Sequence, residues 1–286
     1  MTQKTEVTVL VTTCDRYDTT LPLCLMSIIN QTYKPNRVVL VDDNKEKKFY
    51  EYEILRNILL LCKHKEIKFD YYQGPSKGCV YALDLGLSKI KSGWVMKVDD
   101  DNVLNPDVLE IYVNNISENV GAIGGLILDS KSHLVEEHEQ DVYNKVSQIF
   151  SKWNIQMIKN QSDKIKPVEH IYSNYFFNME LGVKQTLELA PSCHREDTMF
   201  THQIFRKGYD LIIIPQSVTY HLNYDDNTGD NRYSKENFNK NEFFFIEKLK
   251  EWDIVPKEIE IIELQDRYVT TVAEIGGEQA YIVMEK

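Results

Sequence analysis

Three consecutive carboxylates, Asp99, Asp100 and Asp101, follow directly on Trp94-Val95-Met96-Lys97-Val98, a run apolar enough to be a buried strand. Two unit charges about 4 Å apart repel by roughly 4 kcal/mol at an effective dielectric near 20. Acids gathered at one strand end therefore need a cation, strong solvation or a raised pKa. A hard divalent cation suits them, because it prefers carboxylate and phosphate oxygens. An Asp-rich turn with capping duties is the competing reading, since Asn102-Val103-Leu104-Asn105-Pro106-Asp107 carries turn chemistry leading into a helix. Acidic loops at the carboxyl ends of strands are also where open α/β sheets place their ligands.

The elements that must hold these acids alternate. Glu6 to Thr12 is a β-branched run ending in Thr12-Thr13-Cys14-Asp15-Arg16, and a helix is expected over Leu21 to Asn30. Arg37 to Val41 reads as a second buried strand and closes on Asp42-Asp43-Asn44. Helical periodicity over Tyr50 to Cys62, a strand over Ile67 to Tyr72, the turn Gly74-Pro75-Ser76-Lys77-Gly78 and a helix through Ile90 lead to the strand before the aspartates. This spacing is that of βαβ units in a parallel sheet, with polar residues delivered at each strand's carboxyl end. Further on, strands are expected over Gly121 to Leu128, Glu180 to Gln185, Leu211 to Pro215 and Val218 to His221. Helices are expected over Asp197 to Lys207 and Phe238 to Trp252. The polar stretch Ser130 to Pro167 and the Asp-, Asn- and Gly-rich loop Asp225 to Asn231 could cover a site, and Ile259 to Lys286 reads as a strand-rich tail.

Composition narrows the function classes. The 286 residues are 42% hydrophobic and 27% charged, enough for a folded core, and the formal net charge of -11 disfavours gripping nucleic acid or anionic lipid as the main task. Five cysteines (Cys14, Cys24, Cys62, Cys79, Cys193) are scattered without a C-x-x-C pair, so a disulfide framework or zinc site is not expected. With no apolar signal core at the start and no bilayer-length apolar stretch, the expected location is cytoplasmic. Neither G-x-G-x-x-G after the first strand nor G-x-x-x-x-G-K-[ST] occurs, which argues against a dinucleotide Rossmann enzyme and a P-loop NTPase.

Five segments in order carry a resemblance: V-L-V-T-T-C-D-R (Val9 to Arg16), S-I-I-N-Q-T-Y-K-P-N-R-V-V-L-V-D-D-N (Ser27 to Asn44), K-G-C-V-Y-A-L-D-L-G-L (Lys77 to Leu87), V-D-D-D-N-V-L-N-P-D (Val98 to Asp107) and H-R-E-D-T-M-F-T-H-Q-I-F-R-K-G-Y (His194 to Tyr209). Together they resemble family 2 glycosyltransferases of the GT-A fold over about residues 5 to 250. The resemblance implies an α/β fold, Rossmann-like with a mostly parallel central sheet flanked by helices, over residues 1–255, and a small strand-containing extension over 256–286. It implies a metal-dependent inverting transfer from a nucleotide-diphosphate sugar, UDP-linked foremost, to a hydroxyl on a saccharide or glycoconjugate. Thr12, Cys14, Asp15, Arg16 and Asp42 would line the nucleotide pocket, with Asp42 accepting hydrogen bonds from base or ribose. Many relatives carry an aromatic residue at the position of Cys14, so base stacking is expected to be weaker or supplied from elsewhere. Lys77 would touch the diphosphate, and Asp100 would support the donor-binding loop. Asp101 would bind Mn²⁺ or Mg²⁺ directly, Asp99 would meet the ribose or sugar and share in the metal site, and His221 would add a metal ligand. Asp197 is the expected general base for the acceptor hydroxyl. Bland alternatives stand beside these roles: turn or cap residues for Asp42 and Asp43, a surface lysine for Lys77, a structural histidine for His221, and a helix-dipole partner for Glu196-Asp197.

Rival readings share some of the same residues. Gly74-Pro75-Ser76-Lys77-Gly78 fits G-x-S-x-G, and Ser76, Asp197 and His221 follow the serine, acid, histidine order of α/β-hydrolases. That reading places the nucleophile after only the third strand and leaves the aspartates without a task. A silent sugar-nucleotide binding module is a second rival, although both metal aspartates and the base are present. The third changes only the acceptor, to a modified nucleic-acid base, for which Lys45, Lys47 and Lys48 near the rim provide positive charge.

Overall fold

A computed structural model describes residues 5–46, 48–129, 164–222 and 234–253, and strand backbone within 261–263, 267–275 and 278–285. The expected covering stretch Ser130 to Pro167 lies outside the described residues up to 163, and the loop Asp225 to Asn231 and Lys47 lie wholly outside them.

The first half of the chain folds as its periodicity demands. Strands β1 (Val7–Thr13), β2 (Arg37–Asp42), β3 (Lys68–Gln73) and β4 (Trp94–Asp99) pair in parallel in the order β3-β2-β1-β4. Val7, Val9 and Val11 face one layer and Leu10 the other, so β1 is apolar on both sides, as a strand covered on both faces must be. Helix α1 (Thr20–Ile29) packs Leu21, Leu25, Ile28 and Ile29 on the first face and tolerates Pro22 in its opening turn, where an amide hydrogen is not needed. Helix α2 (Glu53–His64) buries Leu55, Ile58 and Cys62 on that same face. Helix α3 (Cys79–Ser88) covers the opposite face with Ala82, Leu83 and Leu87.

Two glycines let α3 reach its place. A methyl group at Gly86 would stand 2.4 Å from Leu10 Cδ1, so α3 lies directly on β1. Gly78 enters the helix at φ +101°, and a methyl group there would stand 2.6 Å from the Pro191 carbonyl oxygen. Gly78→Ala should therefore destabilise the fold by about 1–3 kcal/mol, read as a lower urea midpoint at unchanged slope. An unchanged midpoint would show that the loop opens freely there.

The second half adds β5 (Asn102–Leu104), helix α4 (Val108–Asn114), β6 (Val120–Asp129), β7 (Lys166–Val168), β8 (Tyr175–Asn178), helix α5 (Glu196–Arg206), β9 (Asp210–His221) and helix α6 (Lys235–Glu251). The sheet continues β4-β8-β6-β9-β5, with β7 also on β9. β8 runs antiparallel to both β4 and β6, while β6 and β9 are parallel. Among the described residues, six of this sheet's nine strands thus point one way, which collects the ends of β1, β2, β4 and β9 on one rim.

Three expectations need correction. The strand expected at Glu180 to Gln185 is instead β8, and Met179–Leu181 forms a single 3₁₀ turn stopped by Gly182 in the left-handed region. The turn after the aspartates contains β5, whose three residues pair with the end of β9. Leu211 to His221 is one strand rather than two, with register shifts at its pairing to β6 where Pro215 interrupts hydrogen bonding. A separate antiparallel sheet forms from β10 (Ile261–Glu263), β11 (Arg267–Ile275) and β12 (Glu278–Glu285).

Candidate active site

The common rim brings the sequence-selected residues together in two adjoining parts. The first is a cleft of about 440 Å³ beyond the ends of β1, β2 and β3, lined by Cys14, Asp15, Asn44, Lys45, Ser76 and Lys77 among others. Asp43 shapes its floor by accepting the Ser76 amide at 2.8 Å and the Gly78 amide at 2.7 Å. Lys77 is exposed at the lip, with its ammonium 5.4 Å from the Tyr81 ring centre. Thr12 ends buried below, its hydroxyl 3.5 Å from Cys79 Sγ.

Asp42 is fully buried and already takes four hydrogen bonds from the protein. The Tyr17 and Tyr71 hydroxyls donate to Oδ2 at 2.8 and 2.6 Å, and the Asn44 amide group and backbone N–H donate to Oδ1 at 3.0 and 3.2 Å. Four donors fill the lone-pair sites of a carboxylate. Asp42 thus acts here by orienting Asn44, whose Nδ2 also donates to the Tyr17 hydroxyl at 2.7 Å and whose Oδ1 meets Cys14 Sγ at 3.4 Å. Asn44, Tyr17 and Tyr71 were not singled out from sequence.

The second part is the acidic loop. Asp100 and Asp101 are buried and share Arg16, whose Nη1 lies 3.0 Å from Asp100 Oδ1 and 2.6 Å from Asp101 Oδ2. Asp100 also accepts the Thr13 hydroxyl at 2.6 Å. Burial pushes the Asp100 carboxyl up to about 7 against the pull of Arg16. Burial acts the same way on Asp101, but the His221 ring and Arg16 outweigh it and hold that carboxyl down at about 2. His221 reaches Asp101 because β5 carries Asn102 opposite it, and the Leu222 amide donates to the Asp101 carbonyl at 2.9 Å. The resulting His221 Nε2 to Asp101 Oδ2 distance is 3.4 Å.

The metal assignment can be tested against this geometry. Among the described residues, no three acidic, cysteine or histidine side chains are grouped to hold a metal. Asp101 and His221 do converge, and the buried Asp101 Oδ1 has no hydrogen-bond partner among the described residues. Mg²⁺-like ions are commonly held by one or two carboxylates plus substrate phosphates rather than by an all-protein cage. The pair fits a cation delivered with a diphosphate.

Opposite the aspartates stands α5. Its first turn carries Glu196 and Asp197, and it enters from Arg195, which sits in the left-handed region. Buried Glu242 on α6 anchors that entry through His194 and through Arg195 Nε at 2.7 Å. Burial would raise the Glu242 carboxyl, but Arg195 and His194 outweigh it and hold it at about 2. Asp197 is partly exposed and accepts the Ser173 amide at Oδ2 (2.7 Å) and the Thr198 amide at Oδ1 (2.6 Å). Glu196 is buried against Lys97, 2.7 Å away, and burial lifts its carboxyl to about 7 in spite of that ammonium.

The Glu196 shift has a signed consequence. A carboxyl raised from 4.5 to about 7 on folding binds more protons in the native state, so its contribution to stability is present below about 4.5 and lost as pH rises through 7. Glu196→Gln should therefore gain in melting temperature relative to the wild type as pH climbs through that window. A difference that stays flat with pH would refute the buried, raised carboxyl.

Lys97 and Ser173 were missed as site residues. A lysine inside W-V-M-K-V is a readable signal, because a charge in a buried strand needs partners. Ser173 had no such signal. Ser76 is exposed and held through its amide by Asp43, while His221 faces Asp101 and Asp197 faces the Ser173 and Thr198 amides; these contacts supply none of the relay of a hydrolase.

The family model described as Glycosyl transferase family 2 matches residues 8–182. An uncharacterized glycosyltransferase of Haemophilus influenzae is 28% identical over 95 residues, 33% of this chain and 36% of that protein. Among solved structures, a mannosyltransferase of Pyrobaculum calidifontis in complex with GDP-Man and Mn²⁺ matches with TM-score 0.57 and 17% identity, over 79% of this chain and 59% of that one. S. aureus TarS 1–349 in complex with UDP-GlcNAc matches with TM-score 0.59 and 14% identity, over 85% of this chain and 66% of that one. The chain thus spans about a third of the curated relative and less than two thirds of the mannosyltransferase. No helix among the described residues is long and apolar enough to cross a membrane.

Proposed function

Because this chain belongs to glycosyl transferase family 2, we propose that it transfers a sugar, with inversion at the anomeric carbon, from a nucleotide-diphosphate donor to a hydroxyl of a saccharide or glycoconjugate. The observation that carries this reading is that Asp101 pairs with His221 while Asp99, two residues before it, is joined through Ser173 to Asp197, on the strand-end rim that also bears a cleft of about 440 Å³. UDP is the favoured nucleotide. The cleft would seat the nucleotide, with Asn44 near the base and Lys45, Lys48 and Lys77 supplying positive charge for the phosphates. Residues 1–255 would form the transferase unit and 256–286 an extension.

Asp101 and His221 would hold Mn²⁺ or Mg²⁺, which supplies Lewis-acid neutralisation of the departing diphosphate. The protein's own groups do the rest. Arg16, now between Asp100 and Asp101, lies where a guanidinium can pair with phosphate oxygens. Asp99 remains 29% exposed, open enough to accept a donor hydroxyl. Asp197 Oδ1 accepts both the amide and the hydroxyl of Thr198, while Oδ2 accepts the Ser173 amide and keeps a second lone pair, which takes the proton of the acceptor hydroxyl as that oxygen attacks the anomeric carbon.

A thermal-shift series with UDP-glucose, UDP-galactose, their N-acetylamino forms and GDP-mannose, each with Mn²⁺ or with EDTA, tests the reading. Stabilisation by a UDP-sugar only with Mn²⁺ is expected, since a ligand that binds only the native state raises its stability with concentration over Kd. No shift with any nucleotide sugar would sink the proposal.

A further inference from the structure

We propose that Lys97 and Ser173 are positioning residues, a buried clamp that sets the separation between the donor-side carboxylate Asp99 and the base Asp197. The inference rests on the transfer reading above. Lys97 is 3% exposed in the middle strand β4, and its ammonium has three takers: Asp99 Oδ1 at 2.7 Å, Glu196 Oε1 at 2.7 Å and the Ser173 carbonyl at 2.9 Å. An ammonium has three hydrogens, so the set is complete. Ser173 adds the second link with separate atoms. Its amide donates to Asp197 Oδ2 at 2.7 Å, its hydroxyl donates to Asp99 Oδ2 at 2.9 Å, and that hydroxyl accepts Asn102 Nδ2 at 2.9 Å. The left-handed backbone of Ser173, at φ +61°, is what lets neighbouring atoms of one residue face both carboxylates.

Stability alone is a poor reason for this arrangement. Replacing a buried ion pair by apolar residues of similar volume is often neutral or stabilising. What an apolar pair would not do is tie the end of β4 to the first turn of α5. Those two points come from segments about a hundred residues apart, and among the described residues no strand pairing joins them directly: β4 pairs with β1 and β8. Transfer needs the anomeric carbon held by one and the attacking oxygen held by the other. A misplacement of about 1 Å can cost on the order of a hundredfold in rate.

The test uses the full chain with three variants: Ser173→Ala, the charge-balanced double variant Lys97→Met/Glu196→Gln, and their combination. Asp197→Asn serves as reference. UDP affinity with Mn²⁺ is measured by calorimetry. The rate constant for UDP release, with water as the acceptor that takes the sugar, is measured from a mixture of UDP-glucose, UDP-galactose and their N-acetylamino forms at saturation. Ser173→Ala should lose about tenfold in kcat, as for one hydrogen bond to a charged group. The double variant should lose about a hundredfold. UDP affinity should stay within about threefold of wild type, and the combination should be no slower than the double variant by more than about threefold, since neighbours acting on one geometry are not additive.

A double variant with wild-type kcat, beside an inactive Asp197→Asn, overturns the clamp and leaves the transfer reading standing. So does a loss that multiplies independently in the combination, or one that follows the unfolded fraction. An Asp197→Asn enzyme that releases UDP normally, or a wild type that neither binds nor releases UDP, overturns the base assignment or the transfer reading, and the clamp with it. The double variant keeps the test usable where Lys97→Met alone would leave a buried carboxylate unpaired.

Discussion

Asp101→Ala is expected to make UDP binding indifferent to Mn²⁺. In the wild type, Mn²⁺ should raise UDP affinity by at least about a hundredfold over EDTA, beyond the 10–100-fold typical of losing a residue behind a metal ligand. The variant should bind UDP equally with either addition. Three features of Asp101 argue for an effect this large. It lies 3.4 Å from His221, it is buried, and its Oδ1 is left without a hydrogen-bond partner among the described residues. Asp100 is held differently, with one oxygen accepting the Thr13 hydroxyl at 2.6 Å and the other the Arg16 guanidinium at 3.0 Å. Calorimetry with UDP, with and without Mn²⁺, reads the outcome directly. A variant whose affinity still climbs with Mn²⁺ would place the metal elsewhere. The substitution also carries a stability cost with a definite sign. A carboxyl lowered from 3.8 to about 2 on folding stabilises the native state above 3.8, and that contribution disappears as pH falls through 2. The deficit of Asp101→Ala against the wild type should therefore shrink across that acid window.

Asp197→Asn is expected to lower kcat by about 10²–10⁴-fold, the usual worth of a positioned general base, while UDP affinity with Mn²⁺ stays near wild type. The change preserves shape and removes the proton acceptor. It also turns an NH₂ group toward either the Ser173 or the Thr198 amide, both of which now donate to the carboxylate. Asp197→Glu separates the two effects: it keeps the base but displaces it, so it should lose kcat less than the asparagine variant if basicity dominates. Product stereochemistry by NMR completes the test, with the anomeric configuration opposite to that of the donor. Normal transfer by Asp197→Asn, or retention of configuration, would move the base assignment to another residue.

The parallel half of the fold was legible because its strands are short runs closed by polar turns, rich in valine in β1 and β2, a pattern that a local window shows. The antiparallel half was not. β8, Tyr175-Phe-Phe-Asn178, is as apolar as a core helix and too short for periodicity to place, so the expected strand fell on Glu180 to Gln185 instead. β5 has three residues and exists because Asn102, Val103 and Leu104 meet His221, Tyr220 and Thr219 across the sheet. A pairing that spans more than a hundred residues leaves no trace in a local window.

The sequence by itself determined which chemistry was available: acids at strand ends, an acidic pair opening a helix, and glycosyltransferase motifs in their order. These depend on residue type and short spacing, which the chain carries locally. Only the tertiary structure decided how the acids divide their work. Asp42 is saturated by Tyr17, Tyr71 and Asn44; Asp100 accepts from Thr13 and Arg16; Asp101 keeps an oxygen without a hydrogen-bond partner among the described residues; and Asp99 is joined to Asp197 by Ser173 and to Glu196 by Lys97. The physical reason is that a carboxylate's role follows from which donors reach it and how far it is buried. Both are set by residues distant in the chain that the folded sheet brings within about 3 Å, the length of a hydrogen bond.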